Sequence, residues 1–211
     1  MKTRIKTNLK ILIVPLTLSL IACAPPPSPE ITSGTNNDAK ATQKTTQKQI
    51  IAAKHLSTWQ ITGAVAAKTK NKSWTASLDW QQQALNRYQL RLYGPLGGGT
   101  VLVEKNGRTI TYQDGPKKVK TTDIDQLLYR ETGVHVPLHN LYYWVRGVKA
   151  PGSAQSEQYD AQGHLIQLNQ SGYLVHFENY QTIKNKALPM KIRASGPGGS
   201  LKLIIKHWEV H

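Results

Sequence analysis

The chain has 211 residues, with 27 Lys and Arg against 12 Asp and Glu and a formal net charge of +15. One cysteine excludes a disulfide-stapled scaffold, and the length suits one domain whose fold rests on packing alone. So basic a chain has three classes of partner open to it: anionic lipid head groups, an acidic protein, or nucleic acid. Nucleic acid is disfavoured, because no arginine-rich helix and no basic–aromatic RNA-binding pattern is present.

The first element, residues 1–22, reads as a signal peptide. Lys2, Arg4, Lys6 and Lys10 precede an apolar run from Ile11 to Ile21 that is short for a bilayer span. Leu20-Ile21-Ala22-Cys23 closes it and resembles the lipobox of bacterial lipoproteins, which implies cleavage before Cys23 and acylation of that cysteine. Cleavage removes four basic residues and no acid, so the net charge falls from +15 to +11. Residues 23–45 then form a lipidated cysteine and a flexible tether. The tether's Pro, Ser, Thr, Asn, Gln and Lys cannot bury a core, and about 22 such residues reach roughly 25 Å.

The folded domain is expected over residues 46–211. A helix over 46–57 would use Ile50, Ile51 and Leu56. From Trp59 the apolar period changes to two. Trp59, Ile61, Gly63 and Val65 alternate with polar or small neighbours, as do Trp74, Ala76, Leu78 and Trp80, and then Tyr88, Leu90 and Leu92. Further strands are predicted at 100–105, 108–113, 156–160, 164–170, 173–178, 188–195 and 200–208. Asn106-Gly107, Asp114-Gly115-Pro116, Gln162-Gly163, Ser171-Gly172 and Gly196-Pro197-Gly198-Gly199 separate them. Two helices interrupt the strands. Thr122 is expected to cap the first, with Asp125 three residues on, an apolar stripe of Ile124, Leu127 and Leu128, and Gly133 as its C-terminal stop. The second starts near Pro137, presents Leu138, Leu141, Tyr142 and Val145, and stops at Gly147. Many short strands with Gly-rich turns imply a mainly β architecture, an antiparallel barrel or strongly curved sheet, with the helices covering one end or face.

No catalytic constellation emerges. His135 and His139 are four apart, but Pro137 between them argues against a helical metal pair. The glycines of Gly94-Pro95-Leu96-Gly97-Gly98-Gly99 lack the Lys-Ser or Lys-Thr of a phosphate loop and lie between strands. Asp123 and Asp125 fit a helix start better than acid catalysis. Neither an enzyme activity nor a cofactor or metal is expected.

Several segments stand out together by their order and spacing. They are Ile61-Thr62-Gly63, Ser77-Leu78-Asp79-Trp80, Arg87-Tyr88-Gln89-Leu90 leading to Gly94-Pro95-Leu96-Gly97, and Thr132-Gly133-Val134-His135-Val136-Pro137-Leu138 leading to Leu141-Tyr142-Tyr143-Trp144-Val145-Arg146-Gly147. Gln170-Ser171-Gly172-Tyr173, Leu188-Pro189-Met190, and Leu201-Lys202-Leu203-Ile204-Ile205 with Trp208 complete the set, which resembles the LolB family of outer-membrane lipoprotein receptors. Tyr173 departs from the family's usual Trp but keeps an aromatic ring. The resemblance implies an unclosed antiparallel barrel of about eleven strands, with helices as a lid over a hydrophobic cavity. It implies a monomer that accepts lipoproteins from the periplasmic carrier LolA and places them in outer-membrane lipid. Ala24 agrees with that destination, since Asp there is the enterobacterial retention signal.

The cavity candidates are Trp74, Leu78, Trp80, Leu90, Leu92, Val101, Val103 and Ile110 on strands, and Leu127, Leu128, Leu141 and Val145 on helices. Any one of them could instead pack helix onto sheet. Leu96, flanked by Pro95 and Gly97 at a turn tip, is a candidate membrane-insertion residue, since such tips are ordinarily polar. A non-transferring lipid-binding scaffold is the competing reading; it has no need of an apolar tip at Leu96.

Overall fold

The computed structural model describes residues 36–94 and 99–211. The signal peptide, Cys23, and Pro95, Leu96 and Gly97 lie outside the described residues. Helix α1 (Asn36–Lys54) opens the described chain. Six strands follow: β1 (Trp59–Thr69), β2 (Ser73–Ala84), β3 (Arg87–Tyr93), β4 (Thr100–Asn106), β5 (Thr109–Asp114) and β6 (Lys117–Thr121). Then come α2 (Ile124–Thr132) and α3 (Leu138–Trp144), and five more strands: β7 (Ser156–Tyr159), β8 (Leu165–Gln170), β9 (Tyr173–Ile183), β10 (Lys186–Gly196) and β11 (Gly199–Val210).

All strands join one eleven-stranded sheet of order β6-β5-β4-β3-β2-β1-β11-β10-β9-β8-β7. Every pairing is antiparallel, and β6 and β7 are its two edges, so the sheet is not closed. The period of two becomes rows of side chains across the sheet. One row runs through Val119, Tyr112, Val103, Leu90, Trp80, Ile61 and Trp208. It faces the core, with all but Val119 buried. The opposite face is polar: Gln60 donates to Asp79 at 2.8 Å, and Glu178 pairs with Lys191 at 2.7 Å.

Gly63 makes the central junction possible. The register of β1 on β11 shifts between Thr62 and Gly63, and a Cβ at Gly63 would overlap the carbonyl oxygen of Ile204. Trp59 sits beneath, edge-on to Trp80 (5.0 Å) and Trp208 (5.5 Å) and stacked on Tyr142 of α3 at 6.4 Å. α3 is thereby fixed to the middle of the sheet. Its far end is held by Trp144, whose indole donates to Gln170 at 3.2 Å, while Gln170 also exchanges two hydrogen bonds with the Ala150 backbone. Tyr173, in place of the family's Trp, keeps an edge contact with Trp144 at 5.7 Å.

Four expectations change. β6 was not among the predicted strands. α1 begins at Asn36, ten residues before the helix read from sequence and inside the segment read as tether. Its buried residue is Ala53, with Leu56 just beyond its end, whereas Ile51 is exposed. The cap of α2 is Asp123, not Thr122: the Asp123 carboxylate accepts the N–H of Gln126 at 3.0 Å. Asp125, expected to close a capping box, instead accepts the N–H of Leu138. Gly133 does end α2, at φ 73° with its N–H on Tyr129, and Gly147 stops α3 at φ 69°.

Candidate functional site: an apolar cavity under two helices

A cavity of about 60 Å³ lies between the sheet's buried face and helices α2 and α3. β2 contributes Trp74, Leu78 and Trp80 to its wall, and β3 contributes Leu90 and Leu92. α2 supplies Leu128 and Thr132, and α3 supplies Leu138 and Leu141. The remaining wall is Val136, between the helices, with Val65 of β1 and Leu201 and Leu203 of β11. Among these residues Thr132 carries the sole hydroxyl, and it is already donated to the Leu128 carbonyl at 2.7 Å. The Trp80 indole is likewise committed, to Gln82 at 2.8 Å. Apart from the indole N–H of Trp74, the wall therefore offers hydrocarbon.

Seven of the twelve cavity candidates line it: Trp74, Leu78, Trp80, Leu90, Leu92, Leu128 and Leu141. Val101 lies outside it, in the wider groove described below. Val103, Ile110, Leu127 and Val145 are buried in the core cluster and are not among the residues that line this cavity. Sequence reasoning missed Val65, Thr132, Val136, Leu138, Leu201 and Leu203. Leu201 and Leu203 alternate cleanly in β11, but their nearness to the β2 residues depends on β11 returning to pair with β1.

The cavity abuts a groove of about 610 Å³, and Trp74, Leu92, Leu128 and Thr132 belong to both. The groove's rim is polar. It includes Asn71 and Lys72 from the β1–β2 turn, Ser73 at the start of β2, Asp114 of β5, and Glu131 of α2, which pairs with Lys117 at 2.6 Å. Gly94 and Gly99 also border it, and the Gly94 N–H bonds the Gly99 carbonyl at 3.0 Å, closing the base of the loop that contains Leu96. Tyr112 of β5 borders the same groove; burial, with Asp114 and Glu131 nearby, pushes its hydroxyl up to about 12, so it stays neutral.

The wall of this cavity suits apolar ligands. Among the described residues no group of three or more His, Cys, Asp or Glu could hold a metal. His135 and His139 go to separate partners: His135 stacks on Tyr129 at 3.8 Å, and His139 meets the edge of Tyr143 at 5.7 Å. No helix among the described residues is long and apolar enough to cross a membrane.

An unclosed antiparallel sheet folded over a hydrocarbon-walled cavity, with two helices as its cover, is the architecture of an apolar-ligand binding domain. The family model described as outer membrane lipoprotein LolB matches residues 57–208. The chain belongs to that family. It is 33% identical over 168 residues to the outer-membrane lipoprotein LolB of Coxiella burnetii (strain RSA 493 / Nine Mile phase I), covering 79% of each chain. It is 32% identical over 200 residues to that of Ectopseudomonas mendocina (strain ymp), covering 94% of this chain and 95% of the relative. Among solved structures, a LolA superfamily protein from Nitrosomonas europaea superposes with a TM-score of 0.48 at 10% identity, over 82% of this chain and 93% of its own.

Proposed function

We propose that this chain receives acylated lipoproteins, houses their acyl chains in the cavity beneath α2 and α3, and delivers them to outer-membrane lipid. The observation that carries the reading is the hydrocarbon wall of that cavity in a chain of the LolB family. At about 0.8 kcal/mol per buried methylene, exposing about three chains of about sixteen carbons to water costs tens of kcal/mol. Cargo therefore passes from one apolar surface to another, by differences in affinity and with no covalent step. On this reading the donor is a LolA-type periplasmic carrier, and the +11 charge that remains after cleavage speeds its approach. Cys23 is the acylated anchor on the periplasmic side of the outer membrane, and Leu96 enters the bilayer during delivery.

The cavity as it stands is small. At roughly 10–15 Å³ per probe-sized group, ~60 Å³ admits about five methylene-sized groups. Loading then requires α2 and α3 to lift from the sheet. The test uses the mature chain and a carrier charged with radiolabelled lipoprotein. Label should move first to this protein and then to liposomes; label that stays on the carrier, or stops on this protein, contradicts the reading.

A further inference from the structure

Trp74 occupies the boundary between the apolar cavity and the polar groove, lining both. Its Nε1–H is sealed from solvent and has no acceptor among the described residues. Buried donors are nearly always paired, and one left unpaired is destabilising. The other donors on the cavity wall, at Trp80 and Thr132, are committed within the protein. Among the side-chain donors of the cavity wall, only that of Trp74 lacks a partner among the described residues, and Trp74 stands where the apolar cavity meets the polar groove.

We propose that the Trp74 indole donates to an ester carbonyl oxygen at the head of an acyl chain lodged in the cavity. This rests on the acyl-chain reading of the cavity and deepens it. An ester-linked chain is hydrocarbon up to its carbonyl and polar beyond it, so its acceptor falls at the same boundary as the indole. The interaction supplies what the hydrocarbon wall cannot: a fixed depth for the ligand and a preference for acyl over alkyl chains. The shared chemistry is the carboxylic ester, found both in a diacylglyceryl lipoprotein terminus and in a membrane phospholipid.

The test compares a dipalmitoylglyceryl-cysteine peptide with its diether counterpart, in which methylenes replace both carbonyls. Binding is measured to the mature chain carrying Cys23→Ser and to the same chain with Trp74→Phe. The ester peptide should bind the parent about tenfold better than the diether does, in keeping with one buried hydrogen bond, and Trp74→Phe should abolish that preference. The Trp74 indole proton should move downfield in the parent on adding the ester and not on adding the diether, which keeps the test decisive should Trp74→Phe fold poorly. A dipalmitoyl phospholipid and its dialkyl analogue form a second arm. Loss of ester preference there too assigns the recognition to lipid in general, and loss with the peptide alone assigns it to cargo. An ester preference unchanged by Trp74→Phe, or an indole proton indifferent to the ester, overturns this proposal alone. Failure of ester and ether peptides alike to bind the parent overturns the acyl-chain reading with it.

Discussion

The Asp125 carboxylate accepts the backbone N–H of Leu138 at 3.1 Å, tying the first turn of α2 to the start of α3. The two helices of the cover thus share a fastening that is separate from their grip on the sheet. Burial raises the pKa of this carboxyl, helped by the neighbouring Asp123 and opposed by the Leu138 N–H, His139 and Lys105.

The sign of that shift makes a prediction. A carboxyl raised in the folded state contributes stability below its unfolded value, near 4, and loses it as pH rises through the folded value. Asp125→Asn keeps an acceptor and removes the charge. Wild type should therefore gain stability relative to Asp125→Asn as pH falls through the carboxylate range. Urea titrations of both proteins at a series of pH values would show this, and parallel curves would contradict it. Asp125→Ala, which also strands the Leu138 N–H, should lower stability by about 1 kcal/mol or more at neutral pH.

Arg146 lies buried with no carboxylate partner among the described residues. It donates to the Leu56 carbonyl at 2.6 Å, the Lys54 carbonyl at 3.2 Å and the Tyr142 carbonyl at 3.1 Å, and lies 4.3 Å from the Tyr142 ring centroid. It therefore joins the end of α1 to α3. Arg146→Met should lower stability by about 2–3 kcal/mol by leaving buried carbonyls unpaired. Arg146→Lys should not restore it, because an ammonium lacks the planar fork. Hydrogen exchange should rise most over residues 46–56; uniform exchange across the chain would show that Arg146 does not hold α1.

Leu92 borders both cavity and groove. Leu92→Trp should occupy the passage between them, with overpacking held to about 1–3 kcal/mol. Uptake of a fluorescent fatty-acyl probe should fall severalfold while the melting transition stays cooperative. A folded variant with normal uptake would mean that chains enter elsewhere.

Leu96→Glu addresses delivery. On the membrane-entry proposal stability should move by no more than about 0.5 kcal/mol, as for a surface change, and capture from the carrier should persist. Transfer to liposomes should fall sharply. A loss of several kcal/mol would place Leu96 in the core instead, and normal transfer would remove its membrane role.

The strand pattern was legible because burial on one face imposes a period of two, as in the row from Tyr112 to Trp208. β6 was not, because Lys117-Lys118-Val119-Lys120-Thr121 has one apolar residue. An edge strand needs no more than that, and lysines there deter pairing with other chains. The Lys184-Asn185 turn, with both residues at positive φ, lacks the glycine that marks such hairpins, which hid the full lengths of β9 and β10. α1 was read too short because its polar N-terminal half offers no apolar stripe; composition alone argued for a tether. The cavity was half legible. Inward residues of β2 and β3 follow from alternation, but separating wall from packing requires knowing where α2 and α3 rest. That is why Leu78 and Val103, equally apolar and equally placed in their strands, part company in the fold.

A closed barrel has a girth fixed by its strand number and stagger. This sheet, with β6 and β7 as margins at opposite ends of eleven strands, has none. It can tighten or unroll without breaking a ladder bond, so the room inside is an elastic quantity rather than a built dimension. On the acyl-chain proposal, guests of different bulk would then need no dedicated pockets.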